Sequence, residues 1–183
     1  MNIDAQGVCT AARQMPSPNQ DARSMPVELL VIHHISLPPD EYGGDGVLAL
    51  FNNTLDPTAH PYYASIYQLT VSVHFFIRRD GELIQCVSTE QRAWHAGVSS
   101  WRGRSQCNDF SIGIELEGGL RDPYAEAQYM TLAVLLPALR QRYPTLCAMT
   151  GHEHIALGRK TDPGPLFDWS RVQAESGLAF SIG

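Results

Sequence analysis

The sequence predicts an α/β (α+β) single domain with a central mixed β-sheet flanked by helices. Three observations carry this. Short apolar runs of strand type recur along the chain, one of them folded back on itself at an Asp-Gly turn. The segment 122–144 is rich in helix formers and opens on Asp-Pro. The resulting order of β, α, β-hairpin, β, α, α calls for helices packed on the faces of one sheet.

Taken in order, residues 1–26 are rich in Pro, Ser, Asn and Gln and read as an arm packed on the surface of a domain spanning 27–183. "VELLVIHHIS" (27–36) is mostly apolar and reads as a buried strand. "DGVLALFNNT" (45–54) fits a short helix, and "LDPTAHPYYASIYQL" is expected to be irregular because of its prolines and tyrosines. "VSVHFFIRRDGELIQCV" (71–87) places Asp-Gly between two strand-type runs, a hairpin signal. "DFSIGIELEG" (109–118) alternates Ile112, Ile114 and Leu116 with Ser111, Gly113, Glu115 and Glu117, the period of a strand. In 122–144, Asp122 is the expected cap, Pro123 the first helical residue, and Pro137 the site of an expected kink. "FDWSRVQAESGLAF" reads as a closing helix.

Composition bounds the function. The 183 residues, 44% hydrophobic and 17% charged, suit one globular domain. With a net charge of −6 and no basic stripe, a nucleic-acid partner is not expected. Arg78, Arg79, Arg102, Arg104 and Arg159 are the cations from which a local pocket for a small anionic substrate could be built. No apolar run reaches the length of a membrane span, and "MNIDAQGVCTAARQMPSPNQ" lacks the pattern of a secretory signal. The expectation is a cytoplasmic monomer that needs no membrane. Cys9, Cys86, Cys107 and Cys147 are too scattered for a zinc knuckle and are expected to be free thiols.

The chemistry concentrates in "GHEHIALGRKTDPG" (151–164). Asp162 precedes a proline and is pushed toward extended backbone, so Lys160, two residues away, faces the same side. His152 and His154 would share a side if that stretch is extended as well. A solvated loop bridged by Lys160 and Asp162 accounts for the same residues. His33 and His34 end an apolar strand and face opposite ways, so at most one can join a given site. Two histidines and an aspartate with an open fourth position are the donor set of a catalytic zinc. Glu115 lies on the strand face opposite Ile114. Simple alternation would send it to water, and a metal site would use it as a general base.

Together, "LLVIHHISLPP", "DPTAHPYYA", "VHFFIRRDGE", "RAWHAGVSSWRGR", "CNDFSIGIELEG", "TGHEHIA" and "RKTDPGP", in this order, resemble the zinc N-acetylmuramoyl-L-alanine amidase family. That family includes phage lysozyme-type amidases and peptidoglycan recognition proteins. The resemblance runs from about residue 10 to residue 170. It implies that His33, His152 and Asp162 hold Zn²⁺, that Glu115 is the catalytic glutamate, and that Lys160 steadies the oxyanion. It implies that Trp94 and His95 line the substrate cleft and that Arg159 holds a peptide carboxylate. The implied reaction is hydrolysis of the amide between the lactyl group of N-acetylmuramic acid, in its 1,6-anhydro form, and L-alanine. The implied partner is a small muropeptide of cell-wall recycling. His34, Glu153 and His154 depart from the family's usual residues without touching the ligand positions. An amidase acting on intact peptidoglycan and a muropeptide-binding module remain as alternatives.

Overall fold

The computed structural model describes residues 1–182. In chain order the elements are β1 (Arg13–Gln14), β2 (Gln20–Ala22), β3 (Leu29–Ile35), α1 (Gly46–Phe51), α2 (Pro61–Ile66), β4 (Phe75–Ile77), β5 (Leu83–Gln85), β6 (Gln91–Ala93), β7 (Ser100–Trp101) and β8 (Arg104–Ser105). A 3₁₀ turn (Cys107–Asp109), β9 (Ser111–Glu117), α3 (Glu126–Arg142), β10 (Ala148–Gly151), α4 (His152–Ile155), α5 (Trp169–Ser176) and β11 (Ala179–Phe180) follow. Seven strands form one sheet in the order β1-β5-β4-β9-β3-β10-β11. β4, β9, β3, β10 and β11 run parallel, and β5 turns back antiparallel on β4. The mixed sheet expected from the element order is therefore present, and the Asp-Gly hairpin is β4–β5.

Both faces of the sheet are covered, which is why β3 reads as a nearly continuous apolar run. Leu30, Ile32, Ile112, Ile114 and Leu116 pack against Leu132, Leu135, Leu136 and Leu139 of α3 and Val172 of α5. Burying each such side chain stabilises the fold by roughly 1.5–3 kcal/mol. On the other face, Leu29 and Val31 meet Ala96, Trp101, Phe110 and Ile155. Phe76 and Ile84 meet Val47, Leu50 and Phe51 of the α1 region. The polar face of β9 thus points into a covered layer rather than into water.

Three expectations need correction. The long helix begins at Glu126, not at Asp122. Asp122 accepts a hydrogen bond from the Tyr42 hydroxyl, and the buried Gln128 supplies the cap by accepting the Ala125 N–H at 2.9 Å. Gln128 also donates to the carbonyls of Ile77 and Glu117, so this buried amide joins the helix start to the ends of β4 and β9. The Pro- and Tyr-rich stretch contains α2: Pro61 sits at its first turn and His60 Nδ1 accepts the Tyr62 N–H. His152 and His154 lie in the one-turn helix α4, not in extended chain, and so face different ways.

The arm enters the sheet as edge strand β1 and pairs through β2 with β6. Ile3, Cys9 and Ala12 join the core. Arg23 is inserted below the surface, where its guanidinium donates to the carbonyls of Asp109, Gln91 and Ser111 at 3.1, 2.9 and 2.9 Å. Burial lowers its pKa to about 10, which leaves it charged at neutral pH. All four cysteines are free. Among the described residues no helix is long and apolar enough to cross a membrane.

Candidate metal centre and its cleft

The site sits at the carboxyl ends of three adjacent parallel strands, β10, β3 and β9, where open α/β sheets place their ligands. Register decides which side chains meet. His33 lies directly across from Glu115, and Ile32 across from Gly151, so His152 emerges one residue beyond the strand end beside His33. The return of the chain after α4 brings in Asp162, whose carbonyl accepts the Glu153 N–H at 2.8 Å.

His33, His152 and Asp162 converge. His33 Nδ1 and His152 Nδ1 are 3.0 Å apart, and each is 3.0 Å from Asp162 Oδ2. The three residues are only 1, 3 and 8% exposed, so the triangle is largely shielded from bulk water. Zinc ligands at 2.0–2.2 Å in a tetrahedron stand about 3.3 Å from one another, close to the spacing found here.

Hydrogen bonding gives a second test of fit. His152 Nε2 lies 3.0 Å from the Ala96 carbonyl, which can only accept, so that nitrogen carries the hydrogen. A neutral His152 ring then turns a bare Nδ1 toward a carboxylate oxygen. Two lone pairs at 3.0 Å in a dry site repel, and a cation between them removes the conflict. The donor set therefore fits a metal ion.

The electrostatics agree. Burial, followed by the neighbouring His152, lowers the His33 pKa to about 4, so its ring is neutral at physiological pH. A prediction follows for the metal-free chain. Unfolded, His33 takes up a proton near pH 6.5, whereas folded it resists protonation down to about pH 4. Its contribution to stability is present above pH 6.5 and is lost as pH falls toward 4, on the order of 3 kcal/mol. Urea unfolding of chelator-treated protein at pH 7 and pH 5 measures this. An unchanged midpoint would contradict a buried neutral His33.

Glu115 is on the same face and lines the same cavity, but it is not part of the triangle. Its Oε2 is buried with no hydrogen-bond partner. Burial and then the charge of Asp162 raise its pKa well above the usual carboxylate range, while the charge of Lys160 works the other way. Lys160 is exposed on the cavity wall.

The cavity is about 570 Å³, the size of a small-molecule site. One wall is apolar, with Leu50, Phe51, Ile66 and Leu69. The rest of the lining carries His152 and Asp162 of the triangle, Glu115 and the cations Arg121, Arg159 and Lys160. Of the arginines singled out in the sequence, only Arg159 reaches it. Arg78 is bound by Asp45, Glu82 and Glu117, Arg79 lies over Tyr42, Arg102 over Trp101, and Arg104 pairs with Glu28. Arg121, which bridges to Asp40 at 3.2 Å, was not foreseen, because it sits in a loop with no motif.

The substrate-side expectations fare unevenly. Trp94 does not line the cavity, and its indole N–H donates to Asp21 of the arm at 3.2 Å. His95 borders the cavity but is buried, and both its ring nitrogens are engaged, by His33 at 2.9 Å and Ser111 at 3.2 Å. It therefore has no ring nitrogen free for a ligand. Arg159 donates to the carbonyls of Ala96 and Val98 at 2.7 Å each and pins that loop to the cavity wall. His34 Nδ1 lies 3.2 Å from the Pro163 carbonyl, which also accepts the Tyr124 hydroxyl at 2.8 Å, so this pair anchors the turn after Asp162. His154 points away from the metal ligands. It packs against Trp169 and Phe180, and its Nδ1 accepts the Gly151 N–H.

A family model described as N-acetylmuramoyl-L-alanine amidase matches residues 23–165. The 1,6-anhydro-N-acetylmuramyl-L-alanine amidase AmpD of Citrobacter freundii is 56% identical over 172 residues, which cover 92% of each chain. The crystal structure of a Se-Met AmpD derivative superposes with a TM-score of 0.93 at 55% identity, over 96% of this chain and 99% of that one. The amidase AmiD from E. coli, solved in complex with anhydro-N-acetylmuramic acid-L-Ala-D-gamma-Glu-L-Lys, gives a TM-score of 0.61 at 28% identity. That match covers 96% of this chain and 63% of AmiD.

Proposed function

Because this chain belongs to the N-acetylmuramoyl-L-alanine amidase family, we propose that it hydrolyses the amide between the lactyl group of 1,6-anhydro-N-acetylmuramic acid and L-alanine. The observation that carries the reading is the His33, His152 and Asp162 triangle, whose donor atoms stand 3.0 Å apart, near Glu115, whose Oε2 is buried without a hydrogen-bond partner. Near-complete coverage of the AmpD relative supports the anhydro substrate. On this reading residues 27–183 are the catalytic domain and the 1–26 arm is packed onto it. The protein works as a cytoplasmic monomer on a small muropeptide.

His33, His152 and Asp162 would hold Zn²⁺ and leave a fourth position open. A zinc ion in such a site supplies a Lewis acid that acidifies water and polarises a carbonyl. Glu115, aimed at the cavity with no competing hydrogen bond, takes the proton from the attacking water. It then returns that proton to the alanine nitrogen as the C–N bond breaks, general acid–base work for which a desolvated carboxylate of raised pKa is suited. Lys160, on the same wall, offsets the charge that develops on the carbonyl oxygen. Losing one such stabiliser typically costs on the order of 10²–10³ in rate. The apolar wall of Leu50, Phe51 and Ile66 suits the sugar face, and Arg121 and Arg159 suit the peptide carboxylates.

The test compares release of free peptide from anhydromuramyl tripeptide with release from intact peptidoglycan sacculi, with and without chelator. Chelator-sensitive release from the soluble fragment, with little from sacculi, is expected. Preferential cleavage of sacculi would overturn the recycling role. No release from either, with zinc bound, would leave a binding module.

A further inference from the structure

We propose that His95 and Ser111 are positioning residues that fix the ring tautomer of His33, so that its Nδ1 is presented bare to a metal ion. The inference rests on the reading that the triangle holds a metal. It is built from a run of hydrogen bonds whose directions follow from the far end. The Cys107 carbonyl can only accept, so the Ser111 hydroxyl, at 2.6 Å, donates to it. That spends the single hydroxyl hydrogen. Ser111 Oγ must then accept from His95 Nε2 at 3.2 Å, which places the ring hydrogen of His95 on Nε2. His95 Nδ1 is left as a lone pair and accepts from His33 Nε2 at 2.9 Å. With its hydrogen on Nε2, His33 turns an unprotonated Nδ1 toward His152 and Asp162.

The surroundings hold this run in place. The His95 ring lies directly over Gly113, where a Cβ would fall 2.6 Å from Cγ and 2.7 Å from Nδ1 of that ring. A strand residue with any side chain would displace it. The backbone N–H groups of His95 and Ala96 both donate to Asn108 Oδ1, at 3.2 and 2.8 Å, which fixes the loop. The His33 and His95 rings meet edge to face at 85°. The neighbouring Ala96 carbonyl sets the tautomer of the second ligand, His152, through Nε2. Two consecutive residues, 95 and 96, therefore orient both histidine ligands.

Outer partners of ligating histidines typically contribute 10–100-fold in metal affinity. In zinc titrations of the full chain against a competing chelator, His95→Leu is expected to raise the zinc Kd about 10–100-fold, and Ser111→Ala about 10-fold. His95→Asn retains an acceptor at the Nδ1 position and is expected to bind zinc nearly as tightly as the parent. A purely structural role for His95 would not distinguish Asn from Leu. The ring ¹⁵N shifts of the unsubstituted, metal-free chain give a reading that needs no variant to fold. They should show His33 with its hydrogen on Nε2, and a mixture of tautomers in Ser111→Ala. A His33 hydrogen on Nδ1, or a His95→Leu variant with unchanged zinc affinity, would overturn the proposal. These readouts do not involve amide hydrolysis, so loss of the amidase reading would leave them standing, and their failure would leave the amidase reading intact.

Discussion

Glu115→Gln is expected to leave zinc binding unchanged and to lower amide hydrolysis on the order of 10²–10⁴-fold. The substitution keeps the size and shape of the side chain and removes only its ability to take a proton. No neighbour should move, because Oε2 of Glu115 has no hydrogen-bond partner to lose. The metal triangle is complete without it. Lys160 and the ligands remain in place, so residual activity reflects charge stabilisation alone. Metal content by elemental analysis, set beside turnover on anhydromuramyl tripeptide, separates the two properties. Turnover near that of the parent with full metal would remove Glu115 from the reaction. The same residue sets the acid side of the pH profile. Only the ionised carboxylate can act as base, so the rate falls as pH drops through its pKa, which burial raises and the Lys160 charge opposes.

The sequence made the centre of the site legible for a physical reason. A strand that changes from apolar residues to histidine at its end, and a Gly- and Pro-bounded loop carrying His, Lys and Asp, are local patterns. They need no partner to be recognised. The His33–Glu115 pairing was not legible, because it depends on the register between β3 and β9, which lie far apart in sequence. The fate of Glu115 turned on what covers the second sheet face. Alternation alone would have exposed it, whereas the elements around Phe76 and Phe110 bury that face. Trp94 and His95 look like cleft residues by motif, but the arm supplies Asp21 to one and the first ligand occupies the other. Gly113 was the one local sign of that arrangement. An isolated glycine between two isoleucines of a strand marks a close approach, and here the approaching group is the His95 ring. The start of α3 was misplaced because the cap comes from Gln128 inside the helix and not from the residue before a proline.

Asp162→Asn is expected to abolish zinc-dependent stabilisation and activity together while leaving the metal-free fold intact. Without a cation the triangle brings two imidazole nitrogens and a carboxylate oxygen to within 3.0 Å of one another at low exposure. A buried charge in such a place is costly unless it is paired. Replacing the carboxylate by an amide removes the charge and adds an N–H that can donate to a bare ring nitrogen. The metal-free variant should therefore unfold at the same urea concentration as the metal-free parent, or at a higher one. The parent gains about 2.7 kcal/mol from zinc supplied at 100 times its Kd, and the variant gains nothing at that concentration. His152→Ala should lose zinc in the same way. It also frees the Ala96 carbonyl, which still accepts from Arg159 at 2.7 Å, so the loop retains an anchor. Stoichiometric zinc in both variants would break the ligand assignment. Loss of zinc with a collapse of the metal-free fold would show that Asp162 is held there for the structure itself rather than for the ion.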